Sequence, residues 1–211
     1  MLPIIVALAW PTMLEQLMQT AVQYIDTAMV GTLGTQATAA VGATSTVNWL
    51  INSTISAISI GFLSYISQAL GAAKTDQAKK AASQAVLVSL ITGIFFTITV
   101  SLSGIVPKWM QVDPSIQKMA SCYFLILYLP MLPRTMGIIL GTVLRAAGDT
   151  KTPMKVGCLI NLINIILNYF LIYETRTVSF GSLSFLMPGA GLGIIGAAAA
   201  SAIAYTYGGV A

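Results

Sequence analysis

Charged residues, histidine and cysteine are all scarce in this sequence. Its 211 residues include ten Lys or Arg, six Asp or Glu, two cysteines and no histidine. Soluble domains contain about a quarter charged residues, so a composition with 8% charged residues argues against a soluble protein. Because neither a metal-ligand cluster nor a pairing of a nucleophile with a base is present, the sequence predicts neither a metal site nor an enzyme.

Long apolar stretches make up most of the chain. Hydrophobic residues account for 56% of the sequence, and the mean hydropathy is +0.85. Six stretches reach the ~20 residues that an α-helix needs to cross ~30 Å of hydrocarbon. They are residues 4–30, 41–70, 81–106, 119–144, 154–173 and 192–211. The polar joints between them are too short to hold a soluble domain. We therefore predict an all-α membrane protein in which residues 1–211 form one bundle of six transmembrane helices.

The distribution of basic residues predicts the orientation in the membrane. The joints after the second and fourth stretches contain Lys74, Lys79, Lys80, Arg145, Lys151 and Lys155, whereas the opposite side contains Lys108, Lys118 and Arg176. Because Lys and Arg concentrate in cytoplasmic loops, both termini are predicted to lie on the cytoplasmic side of the cytoplasmic membrane. The formal charge of +4 then reflects the excess of Lys and Arg in the cytoplasmic joints. No basic surface for nucleic acid is predicted.

Two carboxylates interrupt the first apolar stretch. A carboxylate at bilayer depth costs about 2.5–3.5 kcal/mol even on the lenient insertion scale, and it marks a functional site by default. Glu15, Gln19 and Asp26 follow one another at i, i+4 and i+11, which places them within roughly 40° of each other on a helix. The pattern predicts that one face of this helix meets water or polar partners, and it makes Asp26 a candidate functional carboxylate.

Polar stripes also follow the second and fifth stretches. They consist of Ser45, Asn48, Asn52, Ser56 and Ser59 in the second, and of Asn161, Asn164 and Asn168 in the fifth. Lipid would penalise such stripes, whereas a hydrated cavity would favour them. The alternative, above all for the second stretch, is that these side chains hydrogen-bond neighbouring helices as packing contacts that contribute about a kcal/mol or less.

Arg134 lies deep in the fourth stretch, at a depth similar to that of Glu15. One interpretation is a buried ion pair between Glu15 and Arg134. The alternative is that Arg134 snorkels or meets water in a cavity, and that Glu15 hydrogen-bonds to the backbone. In the same stretch Pro130 and Pro133 predict a fixed bend, because each proline removes a backbone donor.

Short motifs in order along the chain resemble those of the multidrug and toxic compound extrusion (MATE) transporters. Ala-Trp-Pro at residues 9–11, Tyr-Ile-Asp-Thr at 24–27 and Gly-Thr-Leu-Gly at 31–34 resemble the first helix of that family. The segment Leu-Arg-Ala-Ala-Gly-Asp-Thr-Lys-Thr-Pro-Met at 144–154 is similar to the loop after helix four, and it is the most specific match. Asn-Ile-Ile-Leu-Asn at 164–168 resembles helix five, and Gly-Ile-Ile-Gly-Ala-Ala at 193–198 resembles the start of helix six.

The resemblance implies an antiporter in the lipid bilayer that expels cationic or amphiphilic drugs or metabolites in exchange for H⁺ or Na⁺, without another cofactor. MATE transporters have two six-helix lobes around a cavity, so the chain resembles the N-terminal lobe and would need a second lobe, in the same or another chain. Asp26 matches the helix-one aspartate that binds the coupling ion or the substrate. Gln19, Asn164 and Asn168 match its polar surroundings, and Ser201 lies where helix six commonly has a small hydroxyl residue.

The chain also departs from the family pattern. Some branches have an aspartate at the position of Asn168, so its absence leaves Asp26 as the expected titrating group and disfavours proton-only chemistry at a carboxylate pair. Because the chain stops within an apolar stretch, we interpret it as a fragment or as one lobe of a longer protein. Two alternatives stay open. One is a lipid-linked precursor flippase of related architecture, which should contain several basic residues in its cavity, and the other is a noncatalytic lobe or assembly module that pairs with a second polypeptide.

Overall fold

Helices form most of the structure. A computed structural model describes residues 2–180 and 183–211, and its six long helical segments follow the order of the six apolar stretches. The first three are α1 (Leu2–Gly31), α2 (Thr35–Gly71) and α3 (Thr75–Thr99). A 3-10 turn and the short helix α4 (Val106–Trp109) follow. The fourth segment consists of α5 (Pro114–Tyr128) and α6 (Met131–Ala146), and the last two are α7 (Lys151–Ile172) and α8 (Gly193–Val210).

Five of these segments have the length and composition of membrane spans. Within the described residues, α2, α3, α7 and α8 each meet the criterion alone, and α5 and α6 meet it as a pair. α1 is long enough to span the bilayer, with 30 residues, but it carries both Glu15 and Asp26. The prediction of an all-α membrane protein with one bundle of long apolar helices is confirmed.

Several helices begin before the apolar stretches do. α2 begins at Thr35, α3 at Thr75 and α7 at Lys151, because hydrophobicity marks the part of a helix inside the hydrocarbon, whereas hydrogen-bonded turns continue into water. The exposed Asp149 supports the first turn of α7, since its Oδ1 accepts the backbone N–H groups of Thr152 at 3.0 Å and Lys151 at 3.1 Å. The hydrogen bonds from Thr152 lower the pKa of the Asp149 carboxyl below its usual value.

The fourth span is bent by 50° between α5 and α6. Pro130 lies between the two helices with a ψ of 38°, outside the helical range. Because proline has no backbone N–H, it cannot donate the next i to i−4 hydrogen bond of α5. Pro133 lies in the first turn of α6, where a missing N–H leaves no intrahelical bond unmade. The bend predicted in this stretch is confirmed, and it lies at Pro130.

The joint between α7 and α8 is a β-hairpin, which its polar composition does not predict. Strands β1 (Glu174–Phe180) and β2 (Leu183–Ala190) are antiparallel. Arg176 lies over the rings of Tyr173 and Tyr169, with Cζ at 4.1 Å and 4.7 Å from the ring centres. These cation–π contacts attach the hairpin to the end of α7.

Small residues allow α7 and α8 to approach closely. Gly196 is buried in α8, and a Cβ added there would overlap the backbone of α7, at 2.6 Å from the carbonyl carbon of Leu171 and 3.0 Å from the nitrogen of Ile172. In membranes such close backbone packing is a principal source of helix association. The contact fixes α8 beside the half of α7 that carries Asn164 and Asn168, and it thereby positions the polar residues described next.

Candidate functional site

Asp26 lies against polar side chains from two other helices. Asn168 of α7 donates from Nδ2 to Asp26 Oδ1 at 2.5 Å, and Asn164, one turn earlier on α7, contacts both Asn168 and Ser201 of α8. Asn168 is 1% exposed and Asn164 is 5% exposed, whereas Asp26 is half-buried. We call Asp26, Asn164, Asn168 and Ser201 the Asp26 cluster. It joins α1, α7 and α8 through hydrogen bonds between side chains.

The side-chain amide of Asn164 fits the cluster in two orientations. In one, Nδ2 donates to Ser201 Oγ at 3.0 Å and Oδ1 accepts from Asn168 Nδ2 at 3.1 Å. In the other, Nδ2 donates to Asp26 Oδ1 at 3.1 Å and to Oδ2 at 3.3 Å, while Oδ1 accepts from the Ser201 hydroxyl at 3.0 Å. An ionised carboxylate only accepts hydrogen bonds, so it favours the second orientation, whereas a protonated Asp26 can donate to Oδ1 in the first.

The structure leaves Gln19 outside the Asp26 cluster. Its side chain is exposed, and among the described residues it forms no side-chain hydrogen bond. Gln19 and Asp26 share a helical face but are seven residues apart, or about 10 Å along the axis. That separation exceeds the reach of a hydrogen bond, so Gln19 lies outside the hydrogen-bonded group around Asp26, and its place in the wider binding surroundings stays a prediction.

Glu15 forms an ion pair with Arg145, and the predicted pair of Glu15 with Arg134 is wrong. Arg145 Nη2 lies 2.8 Å from both carboxylate oxygens of Glu15, and the two side chains are only 23% and 18% exposed. The sequence pattern assigns Arg145 to a cytoplasmic joint. In the structure α6 continues to Ala146, so Arg145 lies in the last turn of that helix. The available signal is the position of this arginine immediately after the end of the fourth apolar stretch.

The two carboxylates of α1 therefore have different environments. Glu15 is neutralised by Arg145, whereas Asp26 has no Lys or Arg nitrogen within 4 Å among the described residues. The partners of Asp26 are amides and, through Asn164, a hydroxyl. A buried carboxylate whose partners are neutral keeps its capacity to bind a proton or another cation.

Arg134 lies in a separate polar group that includes part of the stripe of α2. Its Nη2 donates to Asn52 Oδ1 at 2.9 Å, and its Cζ lies 4.1 Å from the ring centre of Tyr205. Asn48 Oδ1 accepts from Asn52 Nδ2 at 2.8 Å and from the Tyr128 hydroxyl at 2.6 Å. We call these five residues the Arg134 cluster.

The rest of the α2 stripe forms local contacts. Ser59 is buried and donates to the backbone carbonyl of Ile55, and Ser45 donates to that of Gly42. Both bonds stay within α2, so these two serines do not form the contacts to neighbouring helices that the packing interpretation expects. Asn48 and Asn52 are the members of the stripe that link α2 to side chains of other helices.

The arrangement of helices and polar residues has counterparts in known proteins. The sequence model of a family described as MatE matches residues 11–170, which is well over half of the chain. The chain belongs to the MATE family. Its similarity to curated members extends over most of its length. A probable multidrug resistance protein NorM from Thermotoga maritima is 29% identical over 170 residues, which cover 80% of this chain and 37% of the relative. A protein of the same description from Bacillus anthracis is 28% identical over 207 residues, covering 95% and 42%.

Solved MATE-like structures share the fold. A MOP superfamily transporter from Pyrococcus furiosus matches with a TM-score of 0.86 and 25% identity, covering 98% of this chain and 43% of that one. A MATE transporter in its outward-facing conformation matches with a TM-score of 0.87, and one in its inward-facing conformation with 0.76, both at 24% identity.

The chain spans about two fifths of the length of the MATE relatives that it matches. It corresponds to the N-terminal half of a MATE transporter. The predicted architecture of one lobe of a two-lobed helical transporter is thus confirmed at the level of the fold.

Proposed function

We propose that this chain is the N-terminal lobe of a multidrug antiporter that exports cationic or amphiphilic compounds across the cytoplasmic membrane in exchange for H⁺ or Na⁺. A second six-helix lobe, in the same or another chain, completes the pathway, and both termini of this lobe face the cytoplasm. Asp26 is the carboxylate that binds the coupling ion or the cationic substrate. The names of the curated relatives, which are probable multidrug resistance proteins, support the substrate class.

The observation that supports this role is the neutral surroundings of Asp26. A fixed cation beside it, such as Arg145 beside Glu15, would satisfy its charge permanently. Instead its oxygens face the amides of Asn168 and Asn164. Amide oxygens and a serine hydroxyl are also suitable ligands for a hard cation. The cluster is therefore chemically suited to exchange one cation for another.

Exchange at Asp26 gives antiport if the bound cation also biases the conformation. A ligand shifts a conformational equilibrium only by its difference in affinity for the two states. The Asp26 cluster offers a route for such a difference, because Asp26 of α1 accepts from Asn168 of α7, which contacts Asn164 and, through it, Ser201 of α8. Protonation in one helix is thereby linked to a contact between two others.

The test uses the assembled two-lobed transporter in lipid vesicles loaded with ethidium as a cationic probe. Proton and sodium gradients are imposed separately. We expect one of the two gradients to drive ethidium against its own concentration gradient, because the inward flow of the coupling ion releases ethidium from Asp26. If ethidium moves equally fast with both gradients dissipated, the chain is not part of an ion-coupled antiporter.

A further inference from the structure

The guanidinium of Arg134 is buried with unfilled donors. The residue is 7% exposed, and among the described residues its Nε and Nη1 have no hydrogen-bond acceptor. One nitrogen, Nη2, donates to Asn52, and the face of the group lies over the Tyr205 ring. An arginine side chain stays ionised in proteins and has five N–H donors, so most of the donor capacity of Arg134 is unused.

Such an arrangement needs an anion from outside the described residues. A buried charge without a counter-charge is strongly disfavoured, and the two carboxylates of the helix interiors already have partners. Glu15 is paired with Arg145, and Asp26 accepts from Asn168. Neither lies within 4 Å of Arg134.

The polar neighbours of Arg134 are held in place by hydrogen bonds that they donate to Asn48. Asn52 Nδ2 donates to the backbone oxygen and to Oδ1 of Asn48, each at 2.8 Å, and Tyr128 donates to the same Oδ1. These bonds fix the Asn52 amide so that its oxygen faces Arg134. Asn52 and Tyr205, which contact the guanidinium, are only half-buried, so Arg134 lies directly behind side chains that reach the surface of the lobe.

We propose that Arg134 is an anion subsite that binds the carboxylate of a zwitterionic substrate, whose cationic group binds at Asp26. The inference rests on the proposed function, and it narrows the class of exported compound. A guanidinium can bind a carboxylate through two parallel N–H···O bonds, and a single arginine matches a single negative charge. Ser201 of the Asp26 cluster and Tyr205 of the Arg134 cluster are one turn apart on α8, about 6 Å along the helix axis, so the two clusters are neighbours in the lobe. The Tyr205 ring beneath the guanidinium keeps its plane fixed.

The experiment compares two probes that differ in one charge. One is a rhodamine dye with a free carboxylate, which is a zwitterion, and the other is the methyl ester of the same dye, which is a plain cation. Binding of each dye to the assembled transporter in detergent is measured by fluorescence anisotropy. We expect the zwitterion to bind about tenfold more tightly than the ester, which is the size of a charge-assisted hydrogen-bond contribution.

Substitutions of Arg134 assign the preference to this side chain. Arg134→Gln should remove the preference, because glutamine has no charge to pair with the carboxylate, and monodisperse elution in detergent checks that the variant is folded. Arg134→Lys should keep a reduced preference, because an ammonium retains the charge but not the planar fork. Equal affinities of the wild-type protein for the two dyes, or an undiminished preference in Arg134→Gln, would overturn the proposal.

A measurement on the unaltered protein covers the case in which Arg134→Gln does not fold. Sodium acetate should weaken binding of the zwitterion to the wild-type transporter while leaving the ester unaffected, with sodium chloride used to match ionic strength. If acetate weakens neither dye, the anion subsite is wrong. Because binding is measured without a gradient, absence of coupled efflux would contradict the proposed function alone, whereas equal dye affinities would contradict the anion subsite alone.

Discussion

Asp26→Asn is expected to reduce ion-coupled efflux by the assembled transporter to the level of protein-free vesicles, while the protein still folds and inserts. The substitution keeps the size of the side chain and an oxygen that can accept from Asn168 Nδ2, a bond that measures 2.5 Å in the wild-type structure. It removes the charge that attracts a cation and the group that exchanges a proton. Since no basic side chain lies within 4 Å of Asp26 among the described residues, the substitution leaves no unpaired cation that would destabilise the fold.

The measurement is ethidium efflux from vesicles under whichever gradient drives the wild-type protein. Asp76→Asn is the matched control, because it makes the same chemical change at an exposed position in the first turn of α3 and should leave efflux unchanged. Monodisperse elution in detergent checks that the Asp26 variant is folded. Wild-type efflux by a folded Asp26→Asn protein would remove Asp26 from the mechanism.

Gly196→Ala is expected to have the largest effect on stability. The added Cβ would overlap the backbone of α7 near Leu171 and Ile172, and backbone cannot move aside as a flexible side chain can. Separating α7 from α8 should lower the free energy of unfolding by about 2–3 kcal/mol, the upper part of the range for overpacking a core. The same displacement would draw Ser201 away from Asn164, so the remaining folded protein should also transport more slowly.

Gly61→Ala is the control for the glycine substitution. Gly61 lies inside α2, and a Cβ added there would meet no atom within 4 Å. Alanine has the higher helix propensity by about 1 kcal/mol, so this variant should be as stable as the wild type or more stable. Thermal unfolding in detergent, followed by tryptophan fluorescence, compares the two. Equal stabilities of Gly196→Ala and Gly61→Ala would show that the close approach of α7 and α8 does not stabilise the lobe.

The Asp26 cluster could largely be anticipated from the sequence. A carboxylate inside an apolar stretch needs partners, and Asn164 and Asn168 repeat at the spacing of one helical turn, so a contact between the two helices is the simplest arrangement. The structure joins these residues through the bond from Asn168 to Asp26. The order of the six long helical segments follows from the apolar stretches in the same way, because the thickness of the bilayer sets the length of a span.

Other contacts could not be deduced, because they depend on how whole helices lie against each other. Periodicity gives the face of a residue on its own helix but not the depth at which another helix crosses. Glu15 consequently meets Arg145 at the end of α6 instead of Arg134 in its middle. Gln19 shares the helical face of Asp26 and is nevertheless exposed. The hairpin of β1 and β2 is stabilised by backbone pairing between its two strands, which a hydropathy pattern does not record.

Release of a coupling ion on substrate binding tests the central claim most directly. The assembled transporter, in weakly buffered detergent solution, is mixed with ethidium while a pH electrode and a sodium electrode record the solution. If an organic cation and the coupling ion compete for Asp26, the wild-type protein will release H⁺ or Na⁺ in proportion to bound ethidium, and Asp26→Asn will release neither. Ethidium binding with no ion release by the wild-type protein, or with equal release by Asp26→Asn, would contradict the assignment of cation exchange to this carboxylate.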